Sequence, residues 1–163
     1  NGAKVWAFEP NPENYRCALI TCAINNLVNV EIRNAGIGDK NASLPMRVFD
    51  DKGRALGGTS RLLEVSGDAM PEQTIVVDIV RLDDVVPANR NVSILQLDVE
   101  GFEQQALTGA LDIIRRCRPV LILENLPESS WLNENIIKLG YKFLQKLHQN
   151  TVMVFDDTTH RPQ

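Results

Sequence analysis

The chain has 163 residues, 44% of them hydrophobic, and a formal net charge of -4 at pH 7. Residues 1–163 are therefore expected to form one globular domain with a core of its own. The acidic balance argues against a general binder of nucleic acid or of anionic membranes, and no apolar run reaches the length of a membrane span. The cysteines show no metal-ligand spacing, which predicts reduced thiols in a cytoplasmic protein.

The first part of the chain alternates strand, helix and strand. Residues 4–8 predict a strand that ends in Glu9, and Asn11 with the proline after it predicts the start of a helix. A second strand over residues 30–33 leads into a loop over residues 34–39. This order is typical of half of a doubly wound parallel sheet. The helix has one apolar stripe, which predicts a buried face: Tyr15, Ala18, Leu19, Cys22 and Ala23.

A β-rich segment, residues 44–82, interrupts that alternation and is interpreted as an insertion. Residues 44–49 predict a short edge strand, because an edge tolerates Pro45. Residues 74–82 are rich in β-branched side chains and predict a strand that pairs with it. A glycine-rich loop over residues 57–60 lies between them. The segment is either a substrate-selecting element or a hairpin without a role.

The second half of the chain is organised around residues 93–103, SILQLDVEGFE. A short apolar run that gives way to a turn and then a helix is typical of a buried parallel strand. Ligands of open α/β sheets bind beyond the carboxyl ends of such strands, which makes Asp98 and Glu100 candidates for chemistry. The alternative is that these acids cap the next helix or oppose its dipole.

The elements that follow predict another strand and another helix. The helix after the central strand is expected to run without a break to the arginines before Pro119. Residues 120–123 predict a buried strand that ends in Glu124 and Asn125, and residues 128–139 predict a helix closed by glycine.

The chain is expected to end in an antiparallel hairpin. Residues 141–147 and 151–155 predict two strands, and the gap between them is too short for a parallel return. Residues 157–163 are expected to form a flexible tail.

These motifs resemble the FkbM family of S-adenosylmethionine (SAM) methyltransferases, which have the class I fold. The motifs are AFEPNP at residues 7–12, NAGIGD at 34–39, LDVEGFE at 97–103, and residues 119–124. The resemblance implies an α/β, three-layer, Rossmann-like sheet that is mostly parallel and closed by a C-terminal antiparallel hairpin. It also implies SAM as the cofactor and a small-molecule acceptor.

The resemblance assigns two groups of residues to the cofactor. In this fold, the acid that ends the second strand binds the ribose hydroxyls, a position that Glu9 matches with Asn11 beside it. The loop after the third strand lines the adenine, where Asn34, Ala35 and Gly36 match loosely.

The methyl group of the cofactor faces the ends of the family's fourth and fifth strands, where Asp98, Glu100, Glu124 and Asn125 are expected to converge. Methyl transfer requires an aligned nucleophile that loses its proton, so Asp98 or Glu100 is the expected base or orienting group. As an alternative, the placement of Asp98, Glu124 and Asn125 resembles the magnesium site of catechol O-methyltransferases, and hard oxygen ligands suit Mg²⁺.

The family's pattern begins with a strand and a glycine-rich turn that residues 1–3 cannot supply, so the first strand is expected to be missing. Residues 4–8 and 94–98 could then pair directly, in the order 3-2-4-5-7-6 of the family's strand names. Otherwise an open slot with unpaired backbone groups remains. Both alternatives predict impaired SAM binding and a homo-oligomer such as a dimer.

Three functional hypotheses remain open at this stage. The first is a partial SAM-dependent O-methyltransferase that acts on a sugar or another small-molecule hydroxyl. The second is a non-catalytic, oligomerising remnant of such a domain. The third is a nicotinamide-dependent dehydrogenase, whose second strand also ends in a ribose-binding acid, although the terminal hairpin and the lack of a catalytic Tyr–Lys or His pair argue against it.

Overall fold

The computed structural model describes residues 3–63 and 71–156 of the chain. These group into two compact units, Asn1–Val80 and Arg81–Gln163. The tail predicted over residues 157–163 lies outside the described residues. Within the described ranges, no helix is both long and apolar enough to cross a membrane.

The first unit begins with a parallel β-α-β motif. Strands β1 (Val5–Phe8) and β2 (Val30–Arg33) pair in parallel and are joined by helix α1 (Pro12–Ile24). The N-cap of α1 is Asn11, whose side-chain oxygen accepts a hydrogen bond of 3.0 Å from the amide of Glu13. The Asn-Pro pattern therefore predicted the start of this helix correctly.

The apolar stripe predicted on α1 is not buried. No residue of this helix is buried: within the stripe, Tyr15, Ala18 and Cys22 are half-buried, and Leu19 and Ala23 are exposed. Helical periodicity shows which residues share a face, whereas burial requires a second surface against that face. The described part of the unit covers the stripe only in part, so the prediction of a buried face was wrong.

The predicted insertion supplies most of a four-stranded sheet with the order β3-β6-β4-β5. The antiparallel pairing of β4 with β6 confirms the predicted pairing of the two strands. The parallel partner of β6, β3, was not predicted, because a strand of two residues carries no periodic signal. The strands are β3 (Gly36–Ile37), β4 (Ala42–Arg47), β5 (Arg61–Leu62) and β6 (Thr74–Val80).

The prediction that the proline-containing strand lies at a sheet edge was wrong. Strand β4 lies between β6 and β5. The short β5 pairs with Met46 and Arg47, and the amide of Leu63, the residue after β5, donates a bond of 2.8 Å to the carbonyl of Pro45. Pro45 therefore joins this side of the strand as an acceptor, although it has no N–H to donate. Side chains from β4, β6 and the residues after β4 form the core of this sheet: Met46, Val48, Val77 and Ile79.

The second unit contains a mixed sheet with the order β7-β8-β10-β9. Strands β7 and β8 are parallel, whereas β10 is antiparallel to both of its neighbours, β8 and β9. The predicted C-terminal hairpin is confirmed, and with it the Rossmann-like α/β class expected from the sequence. The strands are β7 (Ile94–Leu97), β8 (Val120–Leu123), β9 (Tyr141–Leu147) and β10 (Asn150–Phe155).

The helix predicted after the central strand is divided in two. Helices α3 (Glu103–Thr108) and α4 (Leu111–Cys117) are separated by a break at Gly109. The carboxylate of Asp83, in the short helix α2 (Leu82–Val85), accepts bonds of 3.1 and 3.0 Å from the first amides of α4. Asp83 thus satisfies backbone amides at the start of α4 that have no partner within the helix. The local sequence pattern did not reveal this cap, because Asp83 is distant in the sequence.

The last helical segment is also shorter than predicted. Helix α5 (Ser129–Asn135) is followed by a 3-10 turn, Ile137–Leu139, and then by Gly140 at φ +106°. The glycine closes the segment as predicted, because it adopts a left-handed backbone at no steric cost.

Two strand edges have no partner strand among the described residues. Strand β1 pairs only with β2, and β7 pairs only with β8. In the family's strand names, the β2–β1 pair of the first unit corresponds to the predicted pair 3-2. The order β7-β8-β10-β9 of the second unit corresponds to the predicted order 4-5-7-6. The two alternatives for how residues 4–8 and 94–98 are arranged stay predictions.

Candidate active site

The acid expected to bind ribose follows the first strand. The amide of Glu9 donates to the carbonyl of Arg33 at 3.0 Å, which extends the β1–β2 ladder by one bond. The half-buried Glu9 side chain accepts a bond of 2.8 Å from the amide of Asn11 and a second bond from the side chain of Asn14. Burial raises the pKa of the Glu9 carboxyl above its ordinary value, and these two bonds offset the rise only in part. The Glu9 carboxyl group is thus fixed in orientation and only partly solvated.

The side chain of Asn11 is committed to the protein itself. It is 7% exposed, its oxygen caps α1, and its Nδ2 donates to the hydroxyl of Ser60 at 3.2 Å. Asn11 therefore contacts Glu9, the candidate ribose-binding acid, through its backbone amide and not through its side chain. Sequence reasoning missed Ser60, because the two residues are 49 positions apart.

The residues matched to the adenine loop have clear packing functions. The side-chain Nδ2 of Asn34 donates to the carbonyls of Glu9 and Pro10 at 2.8 and 3.0 Å, which ties the end of β2 to the turn after β1. Gly36 is buried, and a Cβ placed on it would lie 2.8 Å from the Cδ1 of Ile79. Ala35 is also buried, at 7% exposure. Contact of these residues with an adenine ring stays a prediction.

The second candidate site lies at the carboxyl ends of the parallel strands β7 and β8. The amide of Glu124 donates to the carbonyl of Leu97 at 3.1 Å, which aligns the two strand ends. One carboxyl oxygen from each of Asp98, Glu100 and Glu124 lies within 4.8 Å of the others. The structure therefore brings together these acids of the predicted set.

The predicted fourth member, Asn125, faces another group. Its Nδ2 donates a bond of 3.2 Å to the carboxylate of Glu103, which is buried in the first turn of α3. Sequence reasoning did not select Glu103, although it lies inside the LDVEGFE motif, directly after Phe102. The structure thus groups Asn125 with Glu103.

A turn after β7 brings Glu100 close to Asp98 and Glu124. Glu100 and Gly101 have φ values of +49° and +92°, so the backbone passes through left-handed conformations at both positions. The N-cap of α3 is Phe102, which makes no side-chain cap bond. Neither Asp98 nor Glu100 is the N-cap of this helix, so the alternative that they cap it is wrong. The alternative that they oppose its dipole stays a prediction.

The neighbouring carboxyl groups of this cluster affect the pKa of Glu124. The pKa of Glu124 is raised above its ordinary value, first by its hydrogen bond with the Asp98 carboxyl and then by the charge of that group, with smaller contributions that include burial and Glu100. In the described part of the chain, no group donates a hydrogen bond to the Oε2 of Glu124, which is enclosed by protein. A proton on Glu124 relieves the repulsion between the carboxylates. A divalent cation could do the same, since these three acids offer hard oxygen ligands.

Comparison with known proteins agrees with this architecture. A family model described as the methyltransferase FkbM domain matches residues 1–147. A curated protein of Beauveria bassiana (strain ARSEF 2860), named Methyltransferase 1, is 25% identical over 122 residues, which are 66% of this chain and 49% of that protein. The chain therefore spans about half the length of this relative.

A solved structure shows the same fold. The crystal structure of methyltransferase FkbM from Methylobacillus flagellatus KT superposes with a TM-score of 0.60 at 15% sequence identity. The alignment covers 93% of this chain and 36% of that one. Because the family model spans residues 1–147 of the 163, the chain belongs to the FkbM methyltransferase family.

Proposed function

We propose that this chain is the part of a SAM-dependent methyltransferase that binds the nucleoside of the cofactor and activates a hydroxyl acceptor. The observation that carries the proposal is the Glu9 carboxyl at the end of β1, held by the amide of Asn11 and the side chain of Asn14. A fixed carboxylate can accept hydrogen bonds from two neighbouring hydroxyls, as the ribose of SAM presents them. When bound, SAM supplies the electrophilic methyl group.

The acid cluster supports a role in proton transfer. A hydroxyl is a poor nucleophile until it loses its proton, and a carboxylate within hydrogen-bond reach can accept that proton. Glu124 keeps its own proton more readily than an ordinary glutamate, because Asp98 lies beside it. We therefore assign proton acceptance, or orientation of the acceptor hydroxyl, to Asp98 or Glu100. The acceptor class proposed is a small molecule or sugar that carries a hydroxyl.

A divalent cation is the second candidate for this cluster. The favouring observation is that one oxygen from each of Asp98, Glu100 and Glu124 lies within 4.8 Å of the others. Mg²⁺ would be held by these three carboxylates, whereas the sequence-based set included Asn125 and lacked Glu100. The test is to titrate the chain with Mg²⁺ while the NMR signal of the Glu124 carboxyl is recorded. A shift of this signal that saturates with Mg²⁺ indicates a cation site, whereas an unchanged signal favours a proton held by Glu124.

The proposal is tested by titrating the ¹⁵N-labelled chain with SAM up to millimolar concentration, which also detects weak binding. We expect shifts of the amide signals of Glu9 and Asn11, and an affinity about 10- to 100-fold weaker in Glu9→Gln, since bonds to a charged acceptor are lost. The matched control is Glu13→Gln, which removes a charge from an exposed side chain in the first turn of α1.

Unchanged spectra around Glu9 at the highest SAM concentration would refute cofactor binding at this site and favour the non-catalytic hypothesis. If both variants bind SAM equally more weakly than the wild type, the loss of affinity comes from the change in net charge and not from a lost ribose contact.

A further inference from the structure

We propose that the turn formed by residues 57–60 positions the Glu9 carboxyl for its ligand, with Ser60 as the central positioning residue. This inference rests on the proposed function of Glu9 as the ribose-binding acid. The turn belongs to the predicted insertion, residues 44–82, to which sequence reasoning assigned either substrate selection or no role. The structure gives this turn a specific set of contacts at the start of α1.

The first contact joins two buried side chains. The Nδ2 of Asn11 donates to the hydroxyl of Ser60 at 3.2 Å, and these residues are 7% and 6% exposed. The same hydroxyl donates to the carbonyl of Gly57 at 2.7 Å. The single hydroxyl of Ser60 is thus both acceptor and donor, and its loss would leave the buried amide of Asn11 without this partner.

The second contact reaches Glu9 from the other side. The Nδ2 of Asn14 donates to the carbonyl of Gly57 at 3.3 Å, and the side chain of Asn14 also bonds the Glu9 carboxyl. Gly57 has a φ of +55°, and no atom lies within 4 Å of the position that a Cβ would take. A glycine is favoured here because the backbone is left-handed, and not because a side chain would lack space. This backbone conformation directs the Gly57 carbonyl towards Asn14 and Ser60.

Together these bonds form a closed ring. It runs from Glu9 to the backbone amide of Asn11, from the side chain of Asn11 to Ser60, then to Gly57 and Asn14, and back to Glu9. Both groups that hold the Glu9 carboxyl are therefore themselves held by the turn. A carboxylate that is already oriented loses less conformational freedom when it binds, which favours affinity.

The test compares Ser60→Ala with Thr59→Ala. Both variants remove one hydroxyl from the same turn, but the exposed Thr59 hydroxyl donates to the carbonyl of Leu56 at 2.9 Å, which is outside the ring. The readouts are the pKa of Glu9, from carboxyl ¹³C NMR of the chain without ligand, and the affinity for SAM. Asn14→Ala, which breaks the ring on the other side and introduces a better helix former, is the second variant in case Ser60→Ala does not fold.

We expect Ser60→Ala and Asn14→Ala to raise the pKa of Glu9 further, because weaker hydrogen bonds to the carboxylate leave the effect of burial less opposed. SAM affinity is expected to fall about fivefold, the typical effect of one hydrogen bond. Ser60→Thr, which keeps the hydroxyl, should retain the wild-type pKa, and Thr59→Ala should change neither readout.

An unchanged pKa of Glu9 in the folded Ser60→Ala or Asn14→Ala chain overturns the proposal. A raised pKa with unchanged SAM affinity overturns it too, since the turn would then not prepare Glu9 for its ligand. If the wild-type chain binds no SAM, the proposed function fails separately, and the pKa comparison still decides whether the turn positions Glu9.

Discussion

The side-chain amide of Asn125 donates a hydrogen bond of 3.2 Å to the carboxylate of Glu103, a residue that is only 3% exposed. This bond joins the end of β8 to the first turn of α3, directly beside the Asp98–Glu124 pair. A buried carboxylate is costly unless donors satisfy it, so Asn125 has a structural function at this position.

We expect Asn125→Ala to lower the free energy of unfolding by about 1–3 kcal/mol, because the buried Glu103 carboxylate loses a donor. The measurement is equilibrium unfolding in urea. The control is Asn135→Ala, which removes a side-chain amide that donates to the carbonyl of Trp131 in its own helix. Equal stability losses in both variants would contradict a special role for the Glu103–Asn125 bond.

The Asp98–Glu124 pair predicts a specific pH dependence. We expect Asp98→Asn to lower the pKa of Glu124 toward its ordinary value, because its hydrogen bond with the Asp98 carboxyl is the largest cause of the rise. A raised pKa means that the folded state binds more protons than the unfolded state. The stability contributed by this group is therefore lost as the pH rises from the ordinary value of 4.5 to the raised one.

The check is carboxyl ¹³C NMR of Glu124 together with unfolding curves across that pH interval. The stability of the Asp98→Asn chain should fall less steeply with pH than that of the wild type. Asp112→Asn, at an exposed acid paired with Arg115, serves as the control. A Glu124 pKa that stays raised in Asp98→Asn would show that the shift comes from burial or from the other acids.

Close packing at Gly36 gives a third prediction. Gly36→Ala is expected to destabilise the chain by about 1–3 kcal/mol, because the new methyl group would overpack the core. A Cβ at this position would lie 2.8 Å from the Cδ1 of Ile79, which is itself 3% exposed. Thermal unfolding measures the effect, with Gly58→Ala as the control, since no atom lies within 4 Å of a Cβ there.

A double variant separates packing from other causes. Ile79→Val removes the Cδ1 that the added methyl group would meet, so Gly36→Ala should cost less in that background. Equal costs of Gly36→Ala in both backgrounds would contradict the packing explanation.

Self-association is the fourth expected property. In the described parts of the chain, β1 and β7 each have one edge without a partner strand, and such edges carry backbone donors and acceptors that a second copy of the chain can pair with. The exposed apolar residues Leu19, Ile20 and Ile24 of α1 add surface that favours association. Multi-angle light scattering over increasing protein concentration should show a rising mass, and a constant monomer mass would refute this expectation.

The local elements and the family of the chain could be predicted from the amino-acid sequence. The Asn11 cap of α1, the left-handed Gly140 and the closing hairpin are encoded by residues next to one another along the chain. The placement of Glu9 and Asp98 immediately after β1 and β7 also follows from where the apolar runs end. Local patterns predict such features because their free energies arise from neighbouring residues.

The hydrogen bonds between residues that are far apart in the sequence became visible in the folded chain alone. Asp83 caps α4, the second part of a helix that was predicted to be continuous, and Ser60 bonds Asn11. Glu103 accepts a hydrogen bond from Asn125, which was predicted to lie with Asp98, Glu100 and Glu124. The exposed stripe of α1 belongs here as well, since periodicity defines a face but not what covers it. The physical reason is that burial and hydrogen-bond satisfaction depend on partners brought together by the folded chain, and no local pattern names those partners.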